Sequence, residues 1–272
     1  MVSLWNSNRH GMQKMNKVLK EFALSALLFC SIFLATLQVD WMKFFHLSPT
    51  VVGDKLTEWT WNLMSSSIRE VRADEVCLPI DTLIREMCLA NGIDTASITV
   101  VISKTPEVNA YATVGRHLIV NTGLIEIMDN EAQLSSVIGH EVAHLQLGHI
   151  QTGIRRQAAI YVITTLITGN GRGSGRLNQF ISDMVSNSIT RAKENEADAP
   201  GARYLHAMHL DPLEMAGALE KLESYGVFSF LSDHDDSKKR ADNIRNMDFE
   251  DNGPYRQVLS PETWEELQKS CR

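Results

Sequence analysis

Two histidines four residues apart, His140 and His144, enclose a glutamate in the run Gly139-His140-Glu141-Val142-Ala143-His144. If the run is helical they stand one above the other on one face, about 6 Å apart along the axis at roughly 1.5 Å per residue. Two imidazoles so placed can grip one metal ion. Glu141 can then reach a water at an open coordination position and act as general base. Imidazole suits zinc, but it also suits copper, nickel and iron, so the residues point to a metal site before they point to the metal. The bland alternative is a helix carrying two histidines and a solvated glutamate. The surroundings favour the metal reading: Leu134, Val137, Ile138, Val142, Leu145 and Ile150 recur at helical spacing between Asn130 and Ile150, with Asn130 as the N-cap.

A catalytic zinc takes three protein ligands and keeps a fourth position open, so the third ligand decides the class. The metzincin pattern needs a glycine three residues after the second histidine and a histidine three further on. Leu147 and Ile150 hold those places, while Gly148 and His149 stand one step out of register. His149 follows His144 by five residues, which takes it off the shared face of a continuous helix, and it reads as a structural histidine. Glu194-Asn195-Glu196-Ala197-Asp198 offers a carboxylate instead. Glu194 and Asp198 are again four apart, so the glutamate can bind the metal while the aspartate accepts the spare ring N–H of a ligand histidine. Without the histidine pair this run would read as a solvated acidic face.

These residues need elements to hold them. The pattern predicts a helix over 54–72 and another from Pro79 to Ala90, stopped by Asn91-Gly92. Three extended runs follow, Ser97 to Ile102, Val108 to Thr113 and His117 to Asn121, with a turn at Gly115, and they predict a small sheet before the histidine helix. An open edge on that sheet could take an extended peptide as a further strand; otherwise it is a stabilising hairpin. The histidine helix is expected to continue past Gly153 into the apolar run Ala158 to Thr168, which is too short to span a bilayer and reads as a buried helix or a flap. Gly169 to Gly175 is a flexible glycine-rich linker without the ending of a phosphate loop, so nucleotide binding is excluded. A helix over 178–209 carries Glu194, Glu196 and Asp198, and Pro200 should kink it or end it near Ala199. Asp211-Pro212 opens another helix to about Tyr225, and the polar remainder holds two short helices.

The whole chain is of ordinary globular composition, 44% hydrophobic and 22% charged over 272 residues, enough for one catalytic domain plus an appendage. A formal charge of -7 leaves no basic surplus for phosphates, so no nucleic-acid partner is expected. Residues 1–21 form a basic start with Arg9, Lys14, Lys17 and Lys20, and residues 22–39 carry no charge. That run reads as a transmembrane anchor that leaves the amino terminus in the cytoplasm and sends the rest across, with Trp41, Phe44 and Phe45 at the interface. A cleaved signal peptide and a mitochondrial targeting segment are the alternatives. Cys30, Cys77, Cys88 and Cys271 form no Cys-x-x-Cys pair; a disulfide to Cys271 and free buried thiols both stay open.

With HEVAH and ENEAD, the strand Asn109-Ala110-Tyr111-Ala112 and the segment Asn121-Thr122-Gly123-Leu124, the chain resembles the gluzincin metallopeptidase family of the CAAX prenyl protease and the heat-shock protease HtpX. The likeness covers roughly 79–247, and the smaller periplasmic bacterial members and the mitochondrial stress protease of the inner membrane match the size best. It implies an α+β, mainly α, zincin-like domain over 54–272, with a three-stranded sheet beside the active-site helix and a transmembrane helix before it. It implies one zinc per chain on His140, His144 and Glu194, Glu141 as base and Asp198 behind a ligand. It also aligns His234 and Arg240 with the family's His-Pro-x-x-x-x-Arg element, where the histidine helps stabilise the oxyanion; Asp235 stands in place of the proline. Asn109, Ala110 and Arg240 are the expected substrate- or oxyanion-binding residues. The expected activity is zinc-dependent hydrolysis of misfolded or membrane-associated proteins in the periplasm, with unfolded protein or peptide substrates and the membrane as partners. The rival is a latent zinc-binding chaperone or assembly factor whose cleft is closed by 158–175.

Overall fold

The computed structural model describes residues 57–58, 60–62, 64–153, 191–226, 234–251 and 253–272, and the side chains of 191, 192 and 234–236 are outside that description. The expected anchor over 22–39, the apolar run 158–168 and the glycine-rich loop 169–175 lie outside the described residues. Among the described residues no helix is long and apolar enough to cross a membrane.

Helix α1 spans Asp74–Ala90 and opens five residues earlier than Pro79 led us to expect. A proline in the second turn forgoes only one backbone bond. Val76, Ile80, Leu83 and Met87 gain a buried face in return, and Asp74 and Glu75 suit the positive end of the helix. Upstream, the predicted helix over 54–72 does not reach its expected end. Helical residues stop at 65, a turn follows at 66–67, and the chain then pairs with the strand Thr99–Ser103, with Val71 N donating to Ile102 O at 2.8 Å and Lys104 N to Arg69 O at 2.7 Å. Local propensity lost there to a sheet edge that needed partners.

That sheet has three strands, β1 Thr99–Ser103, β2 Ala110–Thr113 and β3 His117–Asn121, in the order β1-β3-β2. β3 lies in the middle, parallel to β1 and antiparallel to β2. Gly115 at φ 69° makes the turn between β2 and β3. Because residues 69–71 cover the outer side of β1, β2 is the open edge among the described residues.

A short helix α2, Thr122–Ile127, leads into α3, Glu131–Gln146. The Asn130 side chain caps α3 by accepting from Gln133 N at 2.8 Å. Every residue of α3 from Glu131 to Leu145 is buried, so it is a central helix and not a surface one. It does not run on to Ile150. The chain turns at Leu147 and Gly148, with Gly148 at φ 68°, before helical residues resume at His149.

Helix α4, Arg191–Ala207, crosses α3 and continues through Pro200, so it does not end near Ala199. Its neighbour explains this. A Cβ on Gly201 would lie 3.1 Å from the His140 nitrogen, and one on Gly139 would lie 3.2 Å from the Gly201 oxygen. The two glycines let the backbones touch, and that packing holds the helix despite the proline. Helices α5 Glu214–Ser224, α6 His234–Arg245 and α7 Pro261–Cys271 complete the fold, the last two being the short carboxyl-terminal helices expected. Cys77, Cys88 and Cys271 are free thiols.

Candidate metal centre

Helix α3 brings the inner Nε2 atoms of His140 and His144 to 3.0 Å of each other. From α4, Glu194 places Oε2 at 3.1 Å from His140 Nε2 and Oε1 at 3.4 Å from His144 Nε2. Both rings are fully buried. A proton on one of these atoms can serve only one of the three contacts, whereas a cation at their centre serves all three. The edges also fit: ligand bonds of about 2.0–2.1 Å around a tetrahedral zinc put neighbouring donors about 3.3 Å apart. The donor set, two imidazoles and one carboxylate, is one that zinc accepts.

The outer face of each histidine is occupied as well. His140 Nδ1 lies 3.0 Å from Asp198 Oδ1. Asp198 is clamped by Arg240, which donates Nε to Oδ2 and Nη2 to Oδ1, both at 2.7 Å. Arg240 Nη1 is also 3.6 Å from Glu194 Oε2. His144 Nδ1 is 2.9 Å from His149 Nδ1, and His149 Nε2 is 3.2 Å from Glu196 Oε2. Lys193 Nζ donates to the His149 carbonyl at 3.1 Å and ties this turn to α4.

Charges follow from this crowding. Burial opposes a charge on His140, but the Asp198 and Glu194 carboxylates outweigh it and push the ring up to about 9. Burial likewise works against Glu194, yet the two imidazoles hold it well below the usual carboxylate range. Burial lowers His144 and keeps it neutral, with a lone pair to give. Glu141 is pushed up to about 7 by burial, and the charge of Glu194 adds to the effect. Its Oε2 accepts from Ala112 N in β2 at 2.7 Å, which ties the carboxylate to the open sheet edge.

The structure therefore brings His140, Glu141, His144, Glu194, Asp198 and Arg240 together. Arg240 sits on Asp198 and Glu194, at the back of the ligands. Ala110 pairs with Val120 in the sheet, and Asn109 gives its carbonyl to Asn121 N at 3.1 Å. His234 opens α6, and its side chain is outside the described residues. Sequence reasoning missed the Gly139–Gly201 crossing and the approach of His149 to His144. Gly148 was the available signal, since a glycine just past a helix end turns the chain back.

The profile described as Peptidase family M48 matches residues 79–248. The metalloprotease LoiP of Escherichia coli (strain K12) is 29% identical over 166 residues, covering 58% of this chain and 65% of that protein. The mitochondrial metalloendopeptidase OMA1 of Arabidopsis thaliana is 28% identical over 152 residues, covering 55% of this chain and 31% of the relative. The beta-barrel assembly-enhancing protease of Escherichia coli (strain K12) is 28% identical over 136 residues, covering 45% and 28%. The chain thus spans less than two thirds of the length of the curated relatives it matches.

Proposed function

The chain belongs to peptidase family M48, and from that premise we propose that it is a zinc-dependent metalloendopeptidase with His140, His144 and Glu194 as ligands. The observation that carries the reading is the convergence of those three side chains at 3.0–3.4 Å, each histidine backed on its far nitrogen. Zinc held there would supply a Lewis acid that polarises the scissile carbonyl and acidifies water.

The rest of the work falls to the chain's own residues. Glu141 takes a proton from the attacking water and returns it to the leaving amine, so that one water and one amide become an acid and an amine. The substrate lies as a fourth strand on β2. Strand alternation turns the backbone N–H and C=O of Ala110 and Ala112 away from β3, since Asn109 is bonded inward to β3 and Ala112 N faces Glu141. The base is thereby fastened to the strand that holds the substrate. Asp198, braced by Arg240, keeps the His140 ring oriented, and His234 stabilises the oxyanion, a role that rests on its place in the family element.

We assign as substrates unfolded or membrane-associated proteins, with the domain held at a membrane by residues 22–39 and facing the periplasm. The uncharged run after a basic start supports the anchor. The purified chain should hold one zinc and cleave an unfolded casein-type substrate; chelator should stop the cleavage and added zinc restore it. Undiminished cleavage by zinc-free protein, or full zinc content in Glu194→Ala, would overturn the proposal.

A further inference from the structure

We infer that His149 is the positioning residue for His144, fixing which nitrogen of that ring carries its proton through a relay that ends on Glu196. The inference rests on His144 being a metal ligand, as proposed above. The hydrogen-bond directions then follow by elimination. A neutral His144 that turns the Nε2 lone pair toward the metal must carry its proton on Nδ1. The atom facing that proton, 2.9 Å away, is His149 Nδ1, which must therefore be an acceptor. His149, also neutral, then carries its own proton on Nε2, and that nitrogen lies 3.2 Å from Glu196 Oε2, an acceptor. Every donor meets an acceptor along the row from Glu196 to the metal position, and no other assignment of the two rings achieves this.

The two ligand histidines are thus supported in different ways from one stretch of α4. His140 rests directly on Asp198, while His144 reaches Glu196 through an intervening ring. The device depends on the turn at Gly148, because an unbroken helix would carry a residue five positions on away from His144. His149 is buried, whereas the Glu196 side chain is 63% exposed, so the inner contact should matter more than the outer one.

Leucine and asparagine at 149 have nearly the same shape and differ in whether an acceptor faces His144. In a competition titration against a chelator, His149→Leu should bind zinc about 10–100-fold more weakly than wild type, and His149→Asn should stay within about threefold. A Leu variant as tight as wild type, or an Asn variant as weak as Leu, would overturn the relay. Nitrogen-15 histidine spectra of the zinc-loaded wild type test it without any substitution. They should show the proton of His144 on Nδ1 and that of His149 on Nε2; a proton on His149 Nδ1 would overturn it. Wild-type protein that binds no zinc would remove the metal centre and the relay together, whereas intact binding with an unmoved Leu variant would remove the relay alone.

Discussion

Glu131 and Glu141 are both buried glutamates of the one helix α3, yet they hold opposite positions in the molecule. Glu131 stands at the amino end and is satisfied on both oxygens, accepting from Val258 N at 2.6 Å and Leu259 N at 2.7 Å. It pins the segment before α7 to the start of α3. Glu141 stands near the carboxyl end and among the described residues receives one donor, Ala112 N. Burial raises both; at Glu131 the two N–H groups pull back against it, whereas at Glu141 burial, with Glu194 adding to it, outweighs the opposing charge of His140 and the carboxyl reaches about 7. The difference bears on the proposed roles: fixed donors commit a buried carboxylate to its charge, and Glu131 has two where Glu141 has one among the described residues.

Exchanging charge for amide at both sites is the sharpest test of that contrast. Glu141→Gln should keep the fold and the zinc but lose about 10²–10⁴-fold in kcat/KM on an unfolded substrate, within the usual range for a general base. A variant that cleaves at the wild-type rate would sink the base assignment. Zinc should separate the two positions from the ligand set: at a free concentration of 100 times Kd it should add about 2.7 kcal/mol of stability to wild type, Glu131→Gln and Glu141→Gln alike, and none to Glu194→Ala. Thermal melts with and without the ion would show it. Glu131→Gln should lower unfolding free energy by about 1–3 kcal/mol in urea titration, because one amide can accept only one of the two N–H groups and turns its NH2 against the other. Its kcat/KM should stay near wild type below the transition; a large loss would erase the contrast. The smallest effect belongs to the cap: Asn130→Ala should cost about 1 kcal/mol with activity unchanged.

The clustering of the candidate site residues was legible because helical geometry converts spacing into position. His140 and His144, and again Glu194 and Asp198, are four apart, and the structure places each pair as that spacing requires. The three strands were legible from their β-branched runs, with β3 at its expected bounds. What escaped were contacts between distant segments. Nothing local in Arg69 to Val71 announces that it will cover β1, and nothing in Pro200 reveals that a glycine contact will hold its helix together. The same cause hid His149, which was judged by the rule for an unbroken helix, whereas the chain turns at Gly148.

The covering of β1 has a consequence for how copies of this chain meet. Endless strand-by-strand stacking needs two exposed borders per molecule, one to give and one to receive. Residues 69–71 close one border, and the other runs beside Glu141. Among the described residues, strand pairing between copies would therefore have one border to use, the β2 edge to which Glu141 is tied.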